Sequence, residues 1–176
     1  MIGPYHINRI VLCSADASPR SQRRNNDQAQ YFFPEAKWVG TVRNAAMRLH
    51  CRFVILTTAH GMVSPEEEIS PYDMHIREHK DQVRQNWSQT IPVLIGNNQY
   101  DILVFYAGGC PIDEMVKVML PILQLNNIDL IAFGRPNMFD VNKIDNVIEF
   151  LIRGTSLNEI RSILRFPDRL LFYSNR

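Results

Sequence analysis

The sequence predicts an α/β domain of three layers, with a mainly parallel central sheet of about four to five strands and two C-terminal helices. Two observations carry this. Four short runs are nearly continuous in apolar residues, the pattern of strands buried on both faces. The segments between them carry apolar residues at helical spacing, so strand and helix alternate along the chain.

The first strand is read at "RIVLCSA", Arg9 to Ala15, and the second at "RFVILTTA", Arg52 to Ala59. Between them, "KWVGTVRNAAMRLH" places Trp38, Val42, Ala45, Ala46 and Leu49 on one helical stripe. Residues 79–96 read as a helix with Val83, Trp87, Ile91, Leu94 and Ile95 inward, disturbed near its end by Pro92. The third strand is "DILVFYAGG", Asp101 to Gly109. The helix after it has Pro111 at its start, where a missing N–H costs nothing, and Asp113 and Glu114 against the dipole. Pro121 is expected to kink or shorten it. "DLIAFG", Asp129 to Gly134, is the fourth strand. Two short amphipathic helices follow, with Gly154 as a stop for the first and Ser156 with Glu159 as a capping box for the second. They read as a pair closing the domain, or as a helix-turn-helix. The chain is therefore read as one domain, with residues 1–141 as the sheet core and 142–176 as a helical extension.

Composition narrows the function classes. A net charge of +1 gives no whole-molecule field for nucleic acid or anionic membrane, so such binding needs a local patch. No apolar run approaches the roughly 18 to 20 residues that span a bilayer. The N-terminal "MIGPYHINR" lacks the layout of a signal peptide. The three cysteines, Cys13, Cys51 and Cys110, are widely spaced without a CxxC, which fits a reducing compartment. The expected location is the cytoplasm.

Ligands of open α/β sheets bind outside the carboxyl ends of the strands. Those ends read Ser14-Ala15-Asp16, Thr57-Thr58-Ala59-His60-Gly61, Ala107-Gly108-Gly109 and Gly134-Arg135-Pro136. The glycines let backbone approach a ligand closely. "SPEEEISPYD" follows the second strand end and reads as the lip of a site, or as a helix start with Ser64 as N-cap and Pro65 at N1. Arg20, Arg23 and Arg24 lie after the first strand and Arg135 after the fourth. Guanidinium groups beside Tyr31, Tyr72 or Trp87 suit a phosphate-bearing ligand whose base stacks on an aromatic ring, and a solvated loop is the alternative. Cys13 reads as a small core residue or as a nucleophile. His75 and His79, four apart, lack the company of a metal motif, and no Walker A, GxGxxG or GxSxG is present. No cofactor or metal is expected.

Gly61-Met62-Val63-Ser64-Pro65, then Ile69 and Pro71-Tyr72-Asp73, resemble the "hGLl-x-P … pYD" signature of a family of small domains of unknown function. Thr58 to Glu68 and Tyr72-Asp73 are also similar to a run in the core domain of archaeosine synthase, a member of the tRNA-guanine transglycosylase family. Related signatures occur in YaaA-type peroxide-stress proteins. The resemblance covers roughly Ile10 to Leu123 and includes Tyr100-Asp101-Ile102-Leu103-Val104. Where relatives often carry Cys and, four residues on, Lys, this chain has Cys13 and Ala17.

The resemblance and the strand-end residues together imply a base-modifying or glycosidic-bond enzyme for a purine or 7-deazaguanine-type base, free or in tRNA or DNA. Asp73 is expected to act as the acid/base or to anchor ring N–H groups, with His60 polarising the substrate or exchanging a proton and Thr58 beside them. The expected substrate-binding residues are Ser14, Gly61, Tyr72, Trp87, Gly108 and Gly109. Arg20, Arg23 and Arg24 would hold phosphate. Two other readings stand beside it: a non-catalytic nucleic-acid-binding or stress protein, and an accessory subunit of a larger modification enzyme. A homodimer is compatible with each.

Overall fold

The structure, a computed structural model, describes residues 4–16, 25–33, 37–134, 143–164 and 171–174. The elements run β1 (Ile10–Ala15), β2 (Asp27–Gln28), α1 (Ala29–Phe32), α2 (Lys37–Leu49), β3 (Arg52–Thr57), β4 (Gly61–Val63) and β5 (Glu68–Ile69). They continue with α3 (Lys80–Ile95), β6 (Ile102–Tyr106), α4 (Ile112–Leu125), β7 (Asp129–Phe133), α5 (Ile144–Arg153), α6 (Leu157–Leu164) and β8 (Leu171–Tyr173).

The central sheet has six strands in the order β4-β3-β1-β6-β7-β8. The four apolar runs form its parallel centre, β3-β1-β6-β7, and β4 and β8 close the edges antiparallel. The expected four to five strands thus become six, because two three-residue edge strands are too short to show a hydrophobic period. β2 and β5 form a separate antiparallel ribbon.

Alternation along β1 divides the core. Ile10 and Leu12 face a cluster built with α2 and α5, including Val42, Ala46, Val147 and Leu151. Val11, Cys13 and Ala15 face the other cluster, built with α3 and α4, including Trp87, Ile91, Met119 and Leu123. Helices therefore cover both faces, as continuous apolar strands require.

The inward stripe expected on residues 79–96 is present: Val83, Trp87, Ile91 and Ile95 are buried on α3. Pro92 and Pro121 lie within α3 and α4, which run on past them for three and four residues. The expected pair of C-terminal helices is present as α5 and α6, and a strand that the sequence did not signal follows them. α5 buries Ile144, Val147, Ile148 and Leu151, and the chain then returns to the sheet as β8 beside β7. Gly154 ends α5 in the left-handed conformation at φ 73°. The capping box before α6 is formed, with Ser156 Oγ accepting from the Glu159 amide at 3.3 Å and the Ser156 amide donating to Glu159 at 3.1 Å. No described helix is long and apolar enough to cross a membrane.

The loop of three glutamates does not start a helix. Glu68 and Ile69 pair with β2, Ile69 is buried, and the carbonyls of Pro65 and Glu67 accept the amides of Gln30 and Ala29 at the start of α1. Burying Ile69 and satisfying those amides outweighs the local capping preference of Ser64.

A candidate ligand site at the centre of the sheet

Connections from β1 lead through α2 to β3 on one side, and the chain then crosses to β6 on the other. The carboxyl ends of β1 and β6 are therefore the topological switch point, where adjacent connections diverge and leave a crevice. Asp16 follows β1 directly, and Ala107-Gly108-Gly109-Cys110 follows β6. A cleft of about 300 Å³ opens here. Asp16, Thr58 and Cys110 supply polar lining together with His75, Arg77 and Glu78, and Ile76, Pro111 and Met115 supply its apolar lining.

Asp16 is 1% exposed. Its Oδ2 accepts the Thr58 amide at 3.0 Å, and the Tyr72 hydroxyl donates to the same oxygen. The Cys110 thiol donates to the Asp16 backbone carbonyl at 2.9 Å, tying the ends of β1 and β6 together. Burial, reinforced by the adjacent Asp16 carboxylate, raises the pKa of Tyr72 well above the ordinary phenol value. The same two causes raise that of Cys110 above the ordinary thiol value. Both groups are thus kept as neutral donors.

The loop carrying Tyr72 is pinned along its length. Thr58 Oγ1 donates to the Met74 carbonyl at 2.7 Å. The His60 Nε2 lies 2.9 Å from the Ser70 carbonyl, and since a carbonyl only accepts, that nitrogen carries the proton. The Tyr72 ring lies parallel to Phe32 at 6.3 Å between centroids and meets His60 edge-on at 5.3 Å. The "PYD" segment is accordingly held where it delivers the Tyr72 hydroxyl to Asp16, behind the residues that line the cleft.

Of the expected catalytic residues, Thr58 lines the cleft, while His60 and Asp73 are outside its lining. The Asp73 side chain is 51% exposed and lies 3.6 Å from His75. Trp87 cannot stack a base: it is fully buried, its indole N–H donating to the Thr57 carbonyl at 2.9 Å. Ser14 is buried within β1. Gly61, at φ +74°, closes the turn between β3 and β4 against α3, where a Cβ would come within 2.2 Å of Thr90 Oγ1. Gly108, at φ +57°, packs on the Trp38 ring, and of the three expected glycines only Gly109 has open space where its Cβ would be. Arg20, Arg23, Arg24 and Arg135 lie outside the described residues. Cys13 is a core residue whose thiol pKa burial pushes far up, as suits a small apolar side chain and not a nucleophile.

Sequence reasoning missed Asp16 and Cys110 as site residues. The available signal was an acid directly after a wholly apolar strand, at a strand end facing the other loops.

The model of a family of unknown function (DUF6884) matches residues 10–125, and the chain belongs to that family. The matched region runs from β1 to the end of α4 and contains the whole cleft lining. No curated protein and no solved structure matches the chain.

Proposed function

We propose that this member of the DUF6884 family acts on a nucleobase, as a base-modifying or glycosidic-bond enzyme for a purine or 7-deazaguanine-type base, free or within tRNA or DNA. The observation that carries the reading is the Asp16 carboxylate, buried at the switch point and fixed by Thr58 and Tyr72 beside an apolar slot. A flat heterocycle fits between aliphatic walls such as Ile76 and Met115, and its N–H groups need an acceptor that only a few polar groups in the slot supply. A fixed carboxylate also stabilises the positive charge that develops on a sugar ring as a glycosidic bond lengthens. Asp16 takes the role that the sequence pattern suggested for Asp73. Thr58 and Tyr72 are positioning residues, and His60 secures the loop. The resemblance of residues 58–73 to the archaeosine synthase core supports this substrate class, and that to YaaA-type proteins supports the non-catalytic alternative.

The test is binding and turnover of deazaguanine nucleosides and of tRNA by wild type, Asp16→Asn and Asp73→Asn. Asp16→Asn is expected to lose roughly 100-fold or more in turnover, the usual scale for a positioned acid/base group. Asp73→Asn is expected to keep most of it. Negligible binding and turnover by wild type and Asp16→Asn alike would overturn the proposal. Wild-type binding without turnover would instead favour a non-catalytic binding protein.

A further inference from the structure

We infer that the ligand of this cleft is a nucleoside 5′-monophosphate, with its base or sugar at Asp16 and its phosphate on Arg77. The inference rests on the nucleobase reading above and adds to it the part of the ligand at the rim. The ionisable groups of the cleft are segregated by depth. Asp16 is buried at the floor, whereas His75, Arg77 and Glu78 are exposed side chains at its edge. A buried carboxylate repels a ligand that is anionic throughout, so the deep end takes donor groups and any anion stays outside. Among the described residues, Arg77 is the only arginine or lysine in the lining of this cleft.

Its guanidinium is also held in place. Arg77 Nε donates to Glu114 Oε1 at 2.9 Å, although the Arg77 side chain is 68% exposed. Glu114 stands in the first turn of α4, and its carboxyl is kept below the ordinary range by its own backbone amide first and by Arg77 second. The carboxylate thus stays charged and holds Arg77 by the Nε side. The Nη groups remain as a planar fork, which matches the paired oxygens of a phosphate. A nucleoside monophosphate has this polarity: donor-rich at the sugar and base, doubly anionic at the other end.

The test is titration calorimetry at fixed ionic strength with guanosine, guanosine 5′-monophosphate and a short single-stranded oligonucleotide, using wild type and Arg77→Met. Wild type should bind the monophosphate at least roughly tenfold more tightly than the nucleoside, the scale of one charge-assisted contact. In Arg77→Met that preference should vanish with nucleoside affinity unchanged. Equal wild-type affinities, a preference that survives Arg77→Met, or equal weakening of both ligands by it would overturn the assignment of Arg77 while leaving the nucleobase reading standing. Tighter binding of the oligonucleotide would replace the free nucleotide by a polynucleotide. No binding of nucleoside or monophosphate by wild type would overturn both. Arg77 is exposed and bonded only at the surface, so loss of fold does not confound the comparison.

Discussion

At the scale of single residues, the hydroxyl of Tyr72 is the contact that joins the signature loop to the site. Tyr72→Phe removes a donor to a buried carboxylate and should lower stability by about 1.5–3 kcal/mol, measured by urea denaturation at neutral pH. The pH dependence has a defined sign. The folded-state pKa of Tyr72 lies above its ordinary value of 10.0, so its contribution is complete below that pH and is lost as pH rises beyond it. Cys51, pushed up from 9.0 to about 11 by burial, acts in the same direction over that interval. Wild-type stability should therefore decline from about pH 9 upward, and Tyr72→Phe should decline less steeply above pH 10. A flat profile across this range would contradict the placement of these groups. The "PYD" motif made Tyr72 legible in the sequence. Asp16 was not, because one acid after a strand has meaning only once its neighbours in the sheet are known. Trp87 shows the opposite limit: helical spacing assigned it inward, and its fully buried position rules out the stacking role suggested by its chemistry.

At the scale of elements, the β3–β4 hairpin and the C-terminal helices make separate predictions. Gly61 adopts φ +74° with Thr90 and the Asn86 carbonyl directly behind it. Gly61→Ala combines backbone strain with a collision against α3, and should lower the melting temperature clearly more than a surface Gly→Ala change. It should also disturb the Thr58 amide three residues away, which bonds Asp16. Ser156→Ala removes the hydroxyl that accepts the Glu159 amide, leaves the Ser156 amide bonded to Glu159, and should cost about 1 kcal/mol, read by chemical denaturation, with no effect on ligand binding at the cleft. The capping box and the left-handed glycine stop were fully readable, since each is a local hydrogen-bond pattern. β4, β5 and β8 were not. Strands of two or three residues are defined by their partners across space, and local signals at Ser64-Pro65 pointed to a helix that tertiary pairing replaced.

At the scale of the whole molecule, the sequence pattern supplied the four central strands but not their order. Apolar continuity identified β1, β3, β6 and β7 as buried, and that settles the class. The order β3-β1-β6-β7 depends on which strand each helix returns to, and it is this order that makes the ends of β1 and β6 the crevice. The proposed site accordingly lies at the middle of the sheet instead of the lip of the second strand, with Tyr72 reaching Asp16 from the lip. The measurement that tests this most directly is a crystal structure of the protein soaked with guanosine 5′-monophosphate and, separately, 7-cyano-7-deazaguanine. The account predicts ring density between Ile76 and Met115 with a donor edge on Asp16. A water-filled cleft at ligand concentrations that saturate the protein in solution, or density at another surface, would contradict it.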